Sequence, residues 1–466
     1  MLSLSSESLS FANGSFRDRD ARVFHHEQHV LRALSARSLA NWECVSSKRF
    51  WKEAIQNESI VATHRVPEFD SLVASSGFVA ALEHRRLRLL TWPWEWCFSM
   101  LKDAALLQLQ LMKGALAEDC ILKDATPLNF QFQGSRVLLM DTASIERLMP
   151  GEAWDGYRQF CQQFLFPLML QAWKNVAFQP WLRGSAEGVP VADFARMLSW
   201  RDLLRPGAFT HVWLHAILQR QSKHQPVRTS LESSGFERAM IQKNVDGLIG
   251  IVQKLRWSPA GSTWADYNVA SSHVAHDSVV KERFVRDVCM SLNPSTVWDM
   301  GCNQGRYSRI AADCGAQVVA MDADHLTIDQ LYCRLRDERN SKITPIVYNL
   351  ADPSPSIGWN GNERPTLEAR SKPDLVLCLA LIHHLVIGSN LLLSDVMRWL
   401  RKLNATVVFE WVDRSDPLVA QLLQNRRDVF EDYSSQHFLQ CAESQFRVVR
   451  SERLSETREL FLLQPR

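Results

Sequence analysis

The sequence predicts an α/β protein: a Rossmann-like, seven-stranded sheet in the C-terminal half, preceded by an α+β, mostly helical N-terminal domain. Three observations predict this class. A strand, a glycine-containing turn, a helix and a second strand follow one another over residues 296–322. Apolar runs at 374–380 and 405–410 have the unbroken character of parallel strands that are buried on both faces. The chain then ends in two strands, 446–452 and 459–464, which we expect to pair antiparallel.

The composition of the 466-residue chain suggests four segments. Residues 1–20 are serine-rich and are expected to form a flexible tail. Residues 21–219 are expected to form the N-terminal domain, and the polar stretch that follows suggests a linker and a helix at 220–260. The Rossmann-like domain is expected at 261–466.

The clearest functional signal is the turn after the first strand of the 296–322 unit. Gly301 allows a sharp bend at the strand end, where a Cβ would clash. Gly305 lets the helix begin close to a ligand, and the backbone N–H groups at a helix start can hold a polar or anionic group. Asp322 ends the second strand 21 residues after Gly301, where a carboxylate can bind both hydroxyls of a ribose. The alternative is a plain crossover unit with no ligand.

This turn differs from a dinucleotide fingerprint, because its glycines are spaced G-x-x-x-G and Asp299 stands two positions before the first. An acid there would repel a pyrophosphate. The turn resembles that of class I S-adenosylmethionine-dependent methyltransferases, which implies S-adenosyl-L-methionine as cofactor. In that family the turn, here Asp299, Gly301, Asn303 and Gly305, holds the methionine end, and the second acid, here Asp322, holds the ribose. Asn303 replaces the middle glycine, and Asn tolerates positive φ.

The same resemblance implies further site residues at the carboxyl edge of the sheet. Asn349 and Leu350 would border the adenine, although an ordinary turn is the alternative there. Leu379 ends a central strand, where ligands sit in such sheets. His383 and His384 follow it, and an imidazole that titrates near neutrality could take a proton from the methyl acceptor. A histidine hydrogen-bonded to nearby backbone groups is the alternative.

A second constellation lies in the N-terminal half, after a helix predicted at 94–117 by apolar residues at three- and four-residue steps. Asp124, Asn129 and, after a predicted hairpin, Asp141 have the spacing of a protein-kinase catalytic loop and its metal-binding Asp. The pattern is incomplete, because no glycine-rich loop or obvious strand lysine precedes it. It predicts either a kinase-like lobe or a hairpin whose Asp and Asn cap turns.

Stretches along nearly the whole chain carry a second resemblance. They are WEWCFSMLKDA at 94–104, LKDA at 122–125, MDTAS at 140–144, YRQFC at 157–161, LALIHHL at 379–385, and residues 426–433. Together they are similar to the rhizobial host-specific nodulation methyltransferase-like proteins. The resemblance implies a cytoplasmic protein that modifies a signal or cell-surface molecule, with a small-molecule or glycan- or lipid-linked acceptor such as a lipo-chitooligosaccharide.

Composition excludes several other classes. The net charge is only +2 and the basic residues are dispersed, which gives no reason to expect a nucleic-acid partner. The ten cysteines include no C-x-x-C pair, so no metal site is expected. No apolar run approaches the roughly 18 residues of a membrane span.

Lys281, Arg283 and Arg286, on a helix predicted at 278–292, are expected on a solvated face.

The sequence therefore predicts a methyltransferase. Two alternatives stay open: a pseudokinase-like module for nucleotide binding or phosphotransfer in the N-terminal half, and a non-catalytic scaffold. Neither the acceptor nor the oligomeric state follows from the residues.

Overall fold

The computed structural model describes residues 9–217, 238–259, 272–424, 427 and 429–466. The predicted linker at 220–234 lies outside the described residues. The N-terminal half contains a four-stranded antiparallel sheet of order β1-β2-β4-β3 and two short strand pairs, β5 with β8 and β6 with β7. These strands are β1 (Ala21–His26), β2 (His29–Leu34), β3 (Thr63–Arg65), β4 (Ala80–His84), β5 (Cys120–Leu122), β6 (Phe130–Gln133), β7 (Arg136–Leu139) and β8 (Ile145–Arg147).

The helices of this half surround one long, buried helix, α4. They are α1 (Ala36–Ser47), α2 (Arg49–Gln56), α3 (Asp70–Ala74), α4 (Phe98–Ala117), α5 (Tyr157–Phe160), α6 (Phe166–Lys174), α7 (Gln179–Gly184), α8 (Val191–Met197) and α9 (Arg238–Lys254). The predicted apolar stripe of α4 is fully buried: Leu101, Ala105, Leu109, Met112 and Leu116. Because α4 is also apolar on its other sides, it forms the centre of the N-terminal core.

One expectation for the first residues needs correction. Residues 9–20 were expected to belong to a flexible tail, but Phe11 forms a β-bridge with Phe24 and packs against its ring. Arg17 reaches across to the C-terminal half and pairs with Glu363 at 2.8 Å.

The C-terminal half is the predicted seven-stranded sheet, in the order β11-β10-β9-β12-β13-β15-β14. The five strands β9 to β13 are parallel, and β15 and β14 are antiparallel to their neighbours. The strands are β9 (Thr296–Met300), β10 (Gln317–Asp322), β11 (Ile343–Val347), β12 (Leu375–Cys378), β13 (Thr406–Val412), β14 (Phe446–Arg453) and β15 (Arg458–Pro465).

Helices cover both faces of this sheet, as an apolar parallel sheet requires. They are α10 (Ser272–Leu292), α11 (Arg306–Asp313), α12 (His325–Asp337), α13 (Leu367–Arg370), α14 (Leu393–Lys402), α15 (Pro417–Leu423) and α16 (Ser435–Gln445). Alternate strand residues point to opposite faces. One face, with Val297 and Leu377, shares a continuous core with α4 and the rest of the N-terminal half. The other, with Trp298 and Val376, forms a separate core.

Candidate functional site

The turn between β9 and α11 has the backbone that its sequence predicts. Gly301 and Gly305 have φ angles of 71° and 75°, in the left-handed region. A Cβ built on Gly305 would lie 2.8 Å from Leu331 Cδ1, and one on Gly301 would lie 3.3 Å from Leu381 Cδ1. Both positions therefore favour glycine for conformation, and a Cβ at either would also require the neighbouring leucine to shift. Asn303 occupies the middle position with φ 47°, so an Asn does maintain this turn.

Asp322 ends β10 beside this turn and is tied to it. Its carboxylate accepts hydrogen bonds from the backbone N–H of Asn303 at 3.0 Å and of Asp324 at 2.9 Å. Burial raises the pKa of Asp322, and these two N–H groups partly offset the rise. Each carboxylate oxygen retains a further lone pair for a ligand hydroxyl. The side-chain Oδ1 of Asn303 is buried without a hydrogen-bond partner among the described residues, which marks a polar atom that a ligand can satisfy.

Asp299 lies beneath the turn and is only 2% exposed. Its carboxylate accepts a hydrogen bond from Ser308 Oγ at 2.5 Å, in the first turn of α11. Burial raises the pKa of Asp299 to about 6 despite this bond. The observed contacts therefore connect β9 to the start of α11.

Three other predicted cofactor residues lie along the same edge of the sheet. Asn349 is exposed, and its Oδ1 accepts from the backbone N–H of Ala351 at 3.0 Å, which closes a local turn. Leu350 is half-buried and packs against the second core of the sheet. Leu379 is buried at the end of β12, and Ala380 beyond it has an unusual φ of 49°. Such a left-handed alanine is a strained position of the kind found at ligand sites.

The two candidate histidines follow Ala380. His383 is fully buried, and neither ring nitrogen has a hydrogen-bond partner among the described residues. Burial lowers the pKa of His383 to about 3 and also lowers the pKa of His384. The premise of titration near neutrality is therefore wrong for His383, and the pKa of His384 is shifted in the same direction. The rings pack with centroids 4.1 Å apart, and His384 begins a π-helical turn that ends at Gly388.

A cluster of buried charges beside His383 was not predicted. Glu410 on β13 is fully buried, and its Oε1 pairs with Lys281 Nζ at 2.8 Å and with Arg458 Nη1 at 3.3 Å. Arg458 also pairs with Asp416 at 2.8 Å. Strand alternation places Glu410 on the same face as Asp299, two strands away. Lys281 was expected on a solvated helix face, and that expectation is wrong for it, because it is only 8% exposed.

The three kinase-like residues of the N-terminal half lie near one another. The backbone oxygen of Asn129 accepts from the N–H of Met140 at 2.7 Å, so Asn129 lies beside the residue before Asp141. Burial raises the pKa of Asp124, and the charge of nearby Asp141 raises it further. Asp141 pairs with Arg32 of β2 at 2.9 Å. Arg32 was missed in the sequence because only a lysine was sought on a preceding strand.

The described residues contain no group of three or more His, Cys, Asp or Glu side chains arranged to hold a metal ion. Within the same residues, no helix combines the length and the apolar character that crossing a bilayer requires.

The sheet order, the left-handed turn and the two acids at the ends of β9 and β10 define the fold of a class I S-adenosylmethionine-dependent methyltransferase. The chain is 33% identical to nodulation protein NoeA of Rhizobium meliloti (strain 1021) over 445 residues, which cover 94% of this chain and 92% of that protein. It belongs to the family of that nodulation protein, as the sequence predicted. No protein-family model matches the sequence.

Three solved structures are similar to part of the chain. The bifunctional kinase-methyltransferase WbdD is 19% identical over 44% of this chain and 43% of that one, with a TM-score of 0.30. The methyltransferase domain of bacterial CtHen1-C is 16% identical over 41% of this chain and 98% of that one, also with a TM-score of 0.30. PH0226 from Pyrococcus horikoshii OT3 is 16% identical over 43% of this chain and 98% of that one, with a TM-score of 0.31.

Proposed function

We propose that the C-terminal half transfers a methyl group from S-adenosyl-L-methionine to an acceptor. The observation that carries this proposal is the position of the Asp322 carboxylate, which is hydrogen-bonded to the left-handed turn at Asn303 and has lone pairs to spare. A carboxylate in this position suits the two hydroxyls of a ribose. The glycines of the turn allow its backbone to pass close to Leu331 and Leu381, and we propose that the methionine end lies along this backbone.

The side chains of the site act mainly by positioning the reactants and contribute little acid–base catalysis. When bound, the cofactor supplies an electrophilic methyl group on a sulfonium, and catalysis then depends chiefly on holding a nucleophile in line with it. His383 is neutral at pH 7, because its pKa is about 3, so it can donate or accept a hydrogen bond but is a weak base. We propose that His383 and His384 orient the acceptor after a rearrangement that opens this buried edge.

We further propose that Asn349, Leu350 and Leu379 border the bound cofactor, and that Asp299 supports the turn from below. The acceptor is proposed to be a small molecule or a glycan- or lipid-linked molecule, such as a nodulation signal, modified in the cytoplasm. Family membership supports this choice of acceptor, because the relative is itself a nodulation protein.

Isothermal titration with S-adenosylhomocysteine tests cofactor binding. Asp322→Ala should weaken binding by about ten- to a hundredfold, because hydrogen bonds to a charged group contribute about 1.5–3 kcal/mol. Asp322→Asn keeps one acceptor for the Asn303 N–H and should lose less. Asp313→Ala removes an exposed carboxylate at the far end of α11 and should bind like the wild type. A wild-type protein that fails to bind millimolar ligand, or an unaffected Asp322→Ala, would refute the proposal.

A second candidate function is favoured by one observation, the ion pair between Arg32 and Asp141. Arg32 is only 7% exposed and places a strand cation beside the Asp that follows the hairpin. In protein kinases the strand lysine pairs with a helix Glu and contacts the nucleotide phosphates, and the corresponding Asp holds magnesium, so Arg32 would take over the phosphate contact. Asn129 and Asp124 lie close by, and the Nδ2 of Asn129 is buried without a partner among the described residues. We propose that the N-terminal half is a kinase-like lobe that binds a nucleotide with magnesium.

Thermal melting in the presence and absence of Mg-ATP tests this second candidate. A ligand that binds only the native state raises the melting temperature as its concentration exceeds the Kd. The rise should disappear in Asp141→Asn and Arg32→Met, and it should persist in Asp322→Ala. An unchanged wild-type melting temperature would count against nucleotide binding. If neither S-adenosylhomocysteine nor Mg-ATP bound, a non-catalytic scaffold would be the better account.

A further inference from the structure

A surface cavity of about 450 Å³ lies in the N-terminal half, beside Asp124. This volume lies within the range of small-molecule sites. Its lining is unusual for such a site, because apart from one glycine every lining residue has a polar or charged side chain. The lining residues are Lys123, Asp124, Asp155, Gly156, Arg158, Gln159, Gln162, Gln163 and Glu187.

The amide groups in this lining are held in fixed orientations. Gln159 Oε1 accepts from the backbone N–H of Ala125 at 2.7 Å. Gln163 Oε1 accepts from Thr126 Oγ1 at 2.6 Å, and its Nε2 donates to the Ala186 oxygen at 3.1 Å. These bonds fasten the wall of the cavity to the loop that follows Asp124.

A π-helical turn, Cys161–Leu165, contributes two of these glutamines to the wall. Gln162 Oε1 accepts from Arg158 Nε at 3.1 Å. The backbone oxygen of Gln162 accepts from the N–H of Val189, and a Cβ on Gly188 would lie 2.3 Å from that oxygen. Turns of π-helix are rare and occur frequently at functional sites.

Asp124 supplies the cavity with a carboxylate that has no protein partner in the part of the chain that the structure describes. It is half-buried, and its carboxylate makes no hydrogen bond or ion pair with any other described residue. Burial raises its pKa, as do the neighbouring charges of Asp141, Glu146 and Asp18, while Lys123 lowers it. A half-buried carboxylate without a protein partner is an acceptor that a ligand donor can satisfy.

The charges of the lining narrow the class of ligand. Two cations, Lys123 and Arg158, stand against three carboxylates, Asp124, Asp155 and Glu187, so a phosphate or other anion would meet net repulsion. Arg158 lies 3.5 Å from Glu187, which places positive charge at the rim and disfavours a polyamine. An apolar ligand would cover the Asp124 carboxylate without offering it a hydrogen-bond donor.

We propose that this cavity binds a neutral polyhydroxylated molecule, such as one or two sugar rings, with one ligand hydroxyl donating a hydrogen bond to Asp124. A hydroxyl group both donates and accepts, and a wall of amides and carboxylates offers both partners. The site is separate from the methyl-transfer site on β9 and β10, and the proposal goes beyond the two functions proposed above. It uses Asp124, which the kinase-like lobe proposed above also uses, but sugar binding at this carboxylate requires neither a bound cofactor nor a bound nucleotide.

Ligand-observed NMR and calorimetry on the full chain test the proposal, with glucose, N-acetylglucosamine and myo-inositol as probes and glucose 6-phosphate as the anionic comparator. At least one neutral probe should bind, and glucose 6-phosphate should bind more weakly than glucose. Asp124→Ala should weaken binding of that probe by about tenfold or more. Asp313→Ala is the matched control and should bind the probe like the wild type.

Three results would overturn the proposal. The first is that no neutral probe binds at about 50 mM, a concentration far above the usual dissociation constant of a site that recognises small ligands. The others are tighter binding of the phosphorylated sugar and unchanged binding of the neutral probe in Asp124→Ala. If Asp124→Ala melts at a lower temperature than the wild type, Asp124→Asn is used in its place, because it keeps the shape of the side chain and one acceptor. Titrations of S-adenosylhomocysteine and Mg-ATP on the same samples separate a failure here from a failure of either proposed function.

Discussion

At the level of single residues, Asp299 shows how the site departs from what stability alone would select. The carboxyl group is buried under the turn, and burial raises its pKa from the ordinary value of 3.8 to about 6, against the opposing effect of the Ser308 hydroxyl. At neutral pH the protein therefore holds a charge that its surroundings disfavour. Positions that sacrifice stability in this way are common at functional sites, where preorganisation matters more.

This shift predicts a pH-dependent difference between the wild type and Asp299→Asn. Because the folded-state pKa lies above the unfolded value, the native state binds this proton more tightly, and the stabilisation is lost as pH rises from about 4 through about 6. The shift corresponds to at most about 3 kcal/mol. Relative to the wild type, Asp299→Asn should therefore gain stability between pH 4.5 and pH 8, as measured by urea unfolding. Asp313→Asn should show no such trend, and a trend of opposite sign would contradict the assigned pKa.

The left-handed conformation of Asn303 leads to a second prediction. Its φ of 47° costs most L-residues about 1–2 kcal/mol, and Asn less. Asn303→Gly should therefore leave the free energy of unfolding nearly unchanged, whereas Asn303→Val should lower it by about 1–2 kcal/mol. Chemical denaturation of both variants measures this. Equal losses in the two variants would mean that the side chain, through its buried Oδ1, matters more than the backbone.

At the level of secondary-structure elements, helix α10 is fastened to the sheet by a buried ion pair. Lys281 reaches Glu410 on β13, more than a hundred residues away in the chain. No periodicity within the helix distinguishes Lys281 from Arg283 or Arg286, which are exposed. Only the partner on another element makes its burial tolerable. The same reason explains why Arg32 was overlooked, since its partner Asp141 follows a distant hairpin.

Breaking this ion pair should be costly. Lys281→Met leaves Glu410 with Arg458 as its remaining cation, and we expect a loss of about 3 kcal/mol in the free energy of unfolding, at the lower end of the range for broken buried pairs. Arg283→Met, which removes an exposed cation paired with Glu452, should change it by less than about 1 kcal/mol. The double variant Lys281→Met/Glu410→Gln should recover part of the loss. Urea unfolding of the four proteins measures these values, and equal effects at Lys281 and Arg283 would refute the assignment.

At the level of the whole molecule, the two halves form a single packed body. Glu95 and Arg370, each about 1% exposed in the side chain, pair at 2.5 Å across the boundary. The indole N–H of Trp94 donates to Ser354 Oγ at 2.6 Å, and that of Trp92 donates to the Pro365 oxygen at 3.0 Å. One hydrophobic core runs from α4 into the first face of the sheet. The N-terminal half therefore packs against the methyltransferase half and helps to stabilise it.

The sequence predicted the C-terminal half well because its signals are local. The apolar run at 374–380 and the turn from Gly301 to Gly305 determine their own structure through backbone rules, and both lie where expected. Contacts between residues far apart in the chain could not be predicted from local patterns. The Glu95–Arg370 pair, for example, joins residues 275 positions apart. The altered pKa of His383 was equally hidden, because it depends on burial by elements that the local pattern does not reveal.

This packing predicts that the methyltransferase half will not fold by itself. A fragment of residues 260–466 would expose the side of α12 that packs against α4 and would leave Arg370 without its partner Glu95. We expect it to aggregate or to melt without a cooperative transition. Co-expression with a fragment of residues 1–259 should restore a cooperative melt and S-adenosylhomocysteine binding, because the interface is large and specific. A 260–466 fragment that binds the ligand as the full chain does would instead favour an N-terminal half that acts only as an attached binding module.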